Sequence, residues 1–428
     1  MTKSLRILFI NRMASLERGG GETFDLEVAR HLALLGHTIT FLTGLPLFGK
    51  AKLPIDHGSN IQSVHLRSPY FGWFPWDKVK GGWRLRVADF TAFEWLAARW
   101  AYQHRDEFDI IQICELPNVV IFFKSKFQIP KSKIPKLVLR LTAPNYHDPR
   151  GGVPMADGVI ASGTSLAKLR TRGLGRAVNV PNGVDTNRFQ PQHSVFRAKH
   201  GISTEVTMLL YVARFQDFKN HAMLVRAFAE FTKNHACAML VLAGSGPLQP
   251  RIRELAETLG VADKVLFLGE VMYDELPLVY AAADIKVVSS DYESFCFAAI
   301  EGMSSGLPVV TSDCGWVPGL IGDQLEPIQK EWVDAGSETD PPGGRFAQEV
   351  PGQRIREVPG GMVVGRNDHL SMAAALHVLV NDGELRRQTG SWNREKAVRE
   401  HGWISSATKL QDLYHSLLSG ANDQSVIK

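Results

Sequence analysis

AAADIKVVSSDYESFCFAAIEGMSSGLPVVTSDCGW, residues 281–316, is the stretch that decides the fold. It holds an apolar run that ends at SSD, a short turn with Glu293, a helical segment that begins near Ser294 to Cys296, and a second apolar run, LPVVTS. Two buried strands joined by a helix are typical of a βαβ unit, in which the strands are parallel. The stretch therefore predicts an α/β architecture.

The same alternation runs along the rest of the chain. At the start, the strand LRILFIN precedes the glycine-rich turn RGGGE, the amphipathic stretch ETFDLEVARHLALLG and the strand HTITFLT. The helix is predicted to bury one face, formed by Leu26, Ala29, Leu32, Ala33 and Leu35. Further strands are predicted for DIIQIC, KLVLRLT, DGVIAS and AVNVPNG, and a second alternating series begins near residue 205 with VTMLLYVAR.

The length of 428 residues indicates more than one domain, because a single hydrophobic core stops growing near roughly 250 to 300 residues. We expect an N-terminal domain over 1–190, a polar linker over 191–204 and a C-terminal domain over 205–400. Residues 401–428 are expected to form a last helix and a tail. The stretch 323–358, rich in Pro, Gly and charge, is interpreted as an inserted loop.

The composition excludes several classes of protein. Hydrophobic residues make up 44% and charged residues 21%, as in water-soluble globular proteins. No segment approaches the ~18 apolar residues of a membrane span, and the first apolar run is too short for a signal peptide. Four cysteines spread singly indicate free thiols in a reducing cytoplasm. A net charge of only +4 argues against a nucleic-acid partner.

Two carboxylates, Glu293 and Glu301, give the deciding stretch its candidate chemistry. Glu293 lies at the mouth of the predicted helix, whose open N–H groups and dipole favour an anion such as a diphosphate. Glu301 lies two turns further, ~12 Å along the axis at ~1.5 Å per residue. This separation suits an extended sugar nucleotide, with one carboxylate on hexose hydroxyls and the other on ribose hydroxyls. A solvated helix face would produce the same spacing, so the flanking strands carry the inference.

Two further clusters follow predicted strands. Arg214 and Lys219 come after the first strand of the second domain, where parallel sheets bind ligands, and they are placed for a pyrophosphate. The alternative is two ordinary surface cations. Gly19 and Gly20 of the turn RGGGE let the backbone approach a ligand closely. This turn lacks the GxGxxG pattern, and the next strand ends in FLTG without an acidic residue, which counts against a dehydrogenase.

Together these segments resemble the family-4 retaining glycosyltransferases of GT-B fold. The resemblance is carried, in this order, by GGGETFDLEVARHLALLGH, VPNGVDTNRF, ARFQDFKN, LAGSGPLQPRIRELA, VLFLGEV and the deciding stretch. It implies two Rossmann-like domains that face a central cleft, with a last helix that returns to the N-terminal domain. It also implies that anomeric configuration is retained, that no metal or cofactor is required, and that the donor is a UDP-, GDP- or ADP-sugar.

The resemblance also implies a role for individual residues. Arg214 and Lys219 would contact the donor diphosphate, Glu301 the ribose, and Glu293 the transferred sugar, nearest the chemistry. The further donor-binding positions are Gly19, Gly20, Gly244, Glu270, Val271, Ser294, Phe295 and Cys296.

The chain departs from the family pattern at two places. The phenylalanine after the first glutamate, Phe295, is often flanked by glycines in the family, whereas Ser294 and Cys296 stand here. The family commonly has a His-Asp pair at the end of an N-domain strand, where this chain reads LVLRLTAPN. His147 follows a few residues later. It is a candidate catalytic substitute, the alternative being a solvated loop histidine.

The acceptor is expected on the N-terminal domain and to be a glycan, a lipid-linked sugar or a small molecule. The stretch from Tyr70 to Arg86 interleaves aromatic and basic side chains, which suits peripheral contact with the inner face of a membrane. Alternatively, these rings pack the domain or stack on a soluble sugar. Two other functions stay open: a sugar-nucleotide epimerase, and a non-catalytic pseudo-enzyme that binds sugar nucleotides.

Overall fold

The computed structural model describes residues 3–16, 19–48, 50, 55, 60–70, 83–125, 134–141, 148, 150–235, 237–322, 348–350 and 353–420. The chain divides into two compact units, one formed by Met1–Asn182 with Trp403–Lys428 and the other by Gly183–Gly402. Each unit is built around its own β-sheet.

The boundary between the units differs from the predicted linker over 191–204. Phe196 and Ile202, which lie inside that range, are buried in a hydrophobic core of the second unit. The sequence around these two buried residues is polar and interrupted by proline, so it did not indicate that they belong to a core. The chain therefore leaves the first unit at residue 182 and re-enters it at Trp403, where the last helix begins.

The first unit contains a seven-stranded sheet in the order β3-β2-β1-β4-β5-β6-β7, and all its neighbouring strands are parallel. Its strands are β1 (Arg6–Ile10), β2 (Thr38–Pro46), β3 (Ile61–Ser68), β4 (Ile110–Cys114), β5 (Lys136–Leu141), β6 (Gly158–Ala161) and β7 (Val178–Asn179). Its helices are α1 (Gly20–Leu34), α2 (Trp83–Gln103), α3 (Pro117–Ser125), α4 (Gly152–Met155), α5 (Gly163–Thr171) and α14 (Trp403–Ser419). β3 escaped prediction because this edge strand, IQSVHLRS, is mostly half-buried or exposed and has no apolar run.

The buried face of α1 is rotated from the one predicted. Ala29 and Leu32 are buried as expected, but Leu35 is 38% exposed, so the predicted face is wrong in part. Asp25 is buried instead, because it accepts hydrogen bonds from Arg140 (2.9 Å) and from two amides, Asn11 and Gln112. A carboxylate is rarely buried unless it is paired, so a hydrophobic pattern could not assign it to the core face.

The second unit contains an eight-stranded sheet in the order β10-β9-β8-β11-β12-β15-β14-β13. Its strands are β8 (Thr207–Val212), β9 (Ala238–Ala243), β10 (Val265–Gly269), β11 (Ile285–Val288), β12 (Val309–Ser312), β13 (Gln348–Val350), β14 (Gln353–Val358) and β15 (Gly361–Val364). Its helices are α6 (Phe196–Lys199), α7 (His221–Thr232), α8 (Gln249–Thr258), α9 (Leu276–Ala282), α10 (Phe297–Ser304), α11 (Val317–Leu320), α12 (His369–Asn381) and α13 (Gly383–His401).

The edge of the second sheet corrects the inserted loop predicted over 323–358. β13 and β14 lie in that range and pair antiparallel, and β14 pairs antiparallel with β15. The remaining neighbours in this sheet are parallel. Part of this charged range, rich in Pro and Gly, therefore forms an edge hairpin, and the range is not a loop throughout.

Two properties bear on the predicted environment of the chain. No helix in the described ranges is both long and apolar enough to cross a membrane. All four cysteines, Cys114, Cys237, Cys296 and Cys314, are free thiols, as their spacing predicted.

Candidate active site

The candidate site lies where the strand order of the second sheet reverses, at the carboxyl ends of β8 and β11. From β8 the chain continues to β9 and β10 on one side, and from β11 it continues to β12 on the other. Open α/β sheets bind ligands in the crevice that such a reversal leaves. The loop after β8 carries Arg214 and Lys219, and the loop after β11 carries Glu293. The topology thus brings together residues that are far apart in sequence.

Glu293 is held in a buried ion pair. Only 8% of this residue is exposed, and its Oε1 accepts hydrogen bonds from Lys219 Nζ at 2.6 Å and from Ser290 Oγ at 2.7 Å. Burial is the largest single influence on the pKa of Lys219 and lowers it, but the neighbouring acidic groups, with the charge and the hydrogen bond of Glu293 foremost, together raise this pKa overall. An ammonium group has three donors. Lys219 can therefore bind Glu293 and still offer hydrogens to a ligand.

Side chains from both central strands fix the backbone of Lys219. The Tyr211 hydroxyl on β8 donates to the Lys219 carbonyl at 2.7 Å and lies 3.0 Å from Ser290 Oγ. Ser289 Oγ donates to the same carbonyl at 3.1 Å. Tyr211, Ser289 and Ser290 were not anticipated as site residues. Their position at or directly after the ends of two predicted strands is the signal that could have found them.

The loop after β12 fixes the backbone of Glu293. The Trp316 N–H donates to the Glu293 carbonyl at 3.2 Å. Gly315 has a φ of +57°, and a Cβ added to it would lie 1.9 Å from the same carbonyl oxygen. Only glycine allows this approach, so the orientation of Glu293 depends on a residue more than twenty positions later.

Glu301 lies inside α10, with 9% of the residue exposed. Its carboxylate accepts a hydrogen bond from the Tyr280 hydroxyl on α9 at 2.8 Å. Burial raises the pKa of Glu301, and the bond from Tyr280 and the charge of Lys286 oppose that rise. The surroundings therefore favour the protonated form of this carboxyl group more than water does.

The start of α10 is close to the prediction. The helix begins at Phe297, and Cys296 is its N-cap, with left-handed backbone at φ +73°. Phe295 is buried, with its ring 5.9 Å from the rings of both Phe297 and His401. Ser294 is half-buried beside Glu293.

Other predicted residues of the second unit line the same edge of the sheet. Gly244 follows β9 with a φ of +138°, and a Cβ there would lie 2.1 Å from the Ala213 carbonyl oxygen, so the loops after β8 and β9 touch. Glu270 is exposed and Val271 half-buried directly after β10, and Arg214 is exposed. The structure thus places these residues at the carboxyl ends of three neighbouring strands, β10, β9 and β8.

The remaining predictions concern the first unit. Gly19 is the N-cap of α1, its N–H donates to Glu22 Oε2 at 3.0 Å, and Gly20 is the first helical residue. His147 lies outside the described residues, as do residues 71–82 of the aromatic and basic stretch. Within the ranges that are described, no group of three or more His, Cys, Asp or Glu side chains could hold a metal ion.

Comparison with known families extends this description. Residues 193–340 match the family model described as Glycosyl transferases group 1, which confirms the resemblance to glycosyltransferases for this part of the chain. A D-inositol 3-phosphate glycosyltransferase of Corynebacterium jeikeium is 31% identical over 249 residues, which are 56% of this chain and 51% of that protein. The chain aligns with only 37% to 51% of the length of the first curated relatives.

Solved structures resemble the chain over nearly its whole length. Sucrose-phosphate synthase from Thermosynechococcus elongatus has a TM-score of 0.70 at 20% identity and covers 97% of this chain and 100% of its own. Anabaena Alr3699/HepE, solved in complex with UDP, has a TM-score of 0.66 at 17% identity and covers 96% of this chain and 100% of its own. These matches confirm the predicted fold class, α/β of GT-B type with two Rossmann-like units.

The close approach of Gly315 to the Glu293 carbonyl can be tested with two glycine variants of the second unit. Gly260 also has positive φ, +70°, but open space around its Cα. We expect Gly260→Ala to cost about 1–2 kcal/mol, the cost of left-handed backbone with a Cβ. Gly315→Ala should cost at least about 3 kcal/mol, because it adds a backbone clash to that strain. Urea unfolding measures the free energy of unfolding of both variants. Equal losses of stability would show that the close approach of Gly315 to the Glu293 carbonyl does not constrain this position.

Proposed function

We propose that this protein is a retaining, metal-independent glycosyltransferase that moves a hexose from a nucleoside-diphosphate sugar to an acceptor hydroxyl. The observation that carries the proposal is the pair of buried carboxylates, Glu293 and Glu301, at the strand reversal. Lys219 is bound to the first of them, and Arg214 is exposed in the same loop. Carboxylates for sugar hydroxyls beside cations for phosphates are what this class of donor requires.

The proposed reaction follows from these charges. The bond between the anomeric carbon and the diphosphate oxygen breaks, the acceptor oxygen forms a new bond to that carbon, and the proton of the acceptor hydroxyl passes to the departing diphosphate. Negative charge grows on the departing diphosphate, where Arg214 and Lys219 offset it. Glu293 orients the hexose and faces the positive charge that develops on the sugar, and Glu301 binds the ribose hydroxyls. Retention of configuration is proposed from the resemblance to family-4 enzymes.

The comparisons support the choice of donor class. The relatives include glycosyltransferases named for inositol phosphate acceptors, and Anabaena Alr3699/HepE has been solved with UDP. We therefore place UDP first among the nucleotides to be tested, before GDP and ADP.

Nucleotide binding is the first test. We expect one of UDP, GDP and ADP to raise the melting temperature of the wild-type protein, because a ligand of the folded state stabilises it. Glu301→Ala should weaken that nucleotide about tenfold or more in calorimetric titration, since a hydrogen bond to a charged group contributes about 1.5–3 kcal/mol. Glu254→Ala, on the exposed face of α8, is the matched control and should bind normally. If none of the three nucleotides binds, the proposal is wrong.

Transfer is the second test. We expect Glu293→Gln to reduce turnover about 100-fold or more, because it removes a charge used in the transition state. Nucleotide affinity should change little, and Glu254→Gln should keep full turnover. Turnover is measured by chromatography of the glycosylated acceptor. Full activity of Glu293→Gln would overturn its role. NMR of the donor distinguishes the other functions, since an epimerase converts it without acceptor and a pseudo-enzyme leaves it unchanged.

We further propose that the acceptor is lipid-linked or part of an envelope glycan, and that the first unit contacts the membrane surface. An open groove of about 910 Å³ between α2 and α3 is lined mainly by apolar side chains, including Leu96 and Phe122, with Arg150 at its rim. Trp95 on α2 is 47% exposed, with the Arg99 guanidinium 5.6 Å from its ring centroid. Aromatic rings beside cations suit the level of anionic headgroups.

Vesicle pelleting tests the membrane contact. Replacing both Trp73 and Trp76 by Ala should reduce binding to anionic vesicles about tenfold or more, since each buried ring contributes about 1.5 kcal/mol or more. Leu34→Ala removes an apolar side chain that is 75% exposed at the last residue of α1, and it is the control. Unchanged pelleting of the double variant would exclude this contact.

A further inference from the structure

Lys286 is a fully buried lysine in the middle of β11, directly beneath the candidate site. It is 0% exposed, and its neighbours in register are Leu210 on β8 and Val309 on β12. Its Nζ has no hydrogen-bond partner in the described part of the chain. Burying an ammonium group without a partner opposes folding strongly. A lysine in this strand therefore calls for a role in the site above it.

The rings around Lys286 connect it to both glutamates. Its Nζ lies 5.3 Å from the centroid of the Tyr211 ring and 5.8 Å from that of Tyr280, within the range of cation–π attraction. The Tyr280 hydroxyl donates to Glu301, and the Tyr211 hydroxyl lies within hydrogen-bond distance of Ser290 Oγ. Because Ser290 in turn donates to Glu293, the ammonium lies between two tyrosines that each lead to one carboxylate.

The chain leaves space for this lysine next to Glu301. Gly302 directly follows Glu301 in α10, and a Cβ there would lie 2.8 Å from Lys286 Cγ and 3.1 Å from its Cβ. A helix interior disfavours glycine, so the side chain of Lys286 accounts for it at this position.

The charged and titratable groups around Lys286 come from several elements. The acidic groups are the side chains of Glu293, Glu301, Cys296, Tyr211 and Tyr280. The basic groups are the side chains of Lys219 and His221. Burial lowers the pKa of Lys286 to about 8, and the acidic groups of Cys296, Glu301 and Glu293 oppose that fall. The hydrogen bond from Tyr280 and the charges of Lys286 and Arg188 in turn oppose the rise that burial causes in the pKa of Glu301.

We propose that Lys286 is a positioning residue, a buried cation that keeps Glu301 in its carboxylate form and so ready to accept the ribose hydroxyls of the donor. The inference rests on the proposed function and deepens it. Lys286 itself touches no substrate. It acts on nucleotide binding through Glu301 and through Tyr280, which both face it.

The pH dependence of nucleotide affinity tests this inference. As pH falls, Glu301 becomes protonated and affinity for UDP, GDP or ADP is lost. Lys286→Met removes the opposing positive charge, so the pKa of Glu301 rises further and the loss should begin about one pH unit higher. Lys286→Gln should shift the loss of nucleotide affinity in the same direction. It replaces the methionine variant in this test if that variant does not fold. Calorimetric titration from pH 5 to pH 8, at about half-unit intervals, measures the shift.

Lys396→Met is the matched control, because Lys396 is another buried lysine of the same unit whose Nζ donates to the Gly322 carbonyl. It should leave the pH profile unmoved. An unmoved profile in both Lys286 variants would overturn the inference, whatever their affinity. If the wild-type protein binds none of the three nucleotides, the proposed function fails and takes the inference with it.

Stability provides a readout that needs no nucleotide. A buried lysine with a pKa of about 8, against an ordinary value of 10.5, binds its proton less firmly when folded. The wild-type protein should therefore gain stability relative to Lys286→Met as pH rises from about 8 towards about 10.5. The urea midpoint measures this. A gain that is already well under way below about pH 7 would show that Lys286 is uncharged at the pH of nucleotide binding and would overturn the inference.

Discussion

The compensation of buried charge is the constraint on which both units depend. Each sheet reverses its strand order once near its centre, which leaves a crevice there, and each unit buries a carboxylate close to that reversal. In the second unit the buried carboxylate of Glu293 is met by Lys219, which follows β8, and by Ser290, which follows β11. In the first unit Asp25 on α1 is met by Arg140 on β5 and by an amide that follows β1. An unpaired charge in either place would cost several kcal/mol.

The groups around Asp25 and those around Glu293 differ in how many hydrogen-bonding positions they leave for a ligand. Both oxygens of Asp25 accept bonds, from Asn11, Gln112 and Arg140, and Arg140 also bonds the Gly21 carbonyl. That cluster ties α1 to the sheet. Around Glu293, by contrast, both donated bonds fall on a single oxygen, and a lysine ammonium keeps further donors. The first arrangement is suited to holding a helix in place, and the second to receiving a ligand.

Most of this fold could be predicted from the sequence, because parallel strands that are buried on both faces consist of continuous apolar runs. The strands on either side of α10 and the placement of Glu293 and Glu301 followed from that. The elements that were predicted wrongly lack such a continuous apolar run. β13 and β14 belong to an edge hairpin, and their charged sequence, interrupted by Pro351 and Gly352, resembles a loop. Asp25 belongs to a core face through its partners, which come from strands distant in sequence.

Lys286 shows why the electrostatics of the site could not be predicted in the same way. In DIKVVSS it is one charged residue in an apolar run, and nothing local distinguishes it from a lysine at the surface. Only the packing of α9 and α10 against β11 reveals a buried ammonium between two tyrosines. The fall of its pKa from 10.5 to about 8 corresponds to about 3 kcal/mol of folding free energy at neutral pH. Such a cost is a large fraction of the roughly 5–15 kcal/mol that stabilises a typical folded protein. A methionine of similar volume would avoid it, so the retention of a charge here is explained by the carboxylates above it and not by the stability of the sheet.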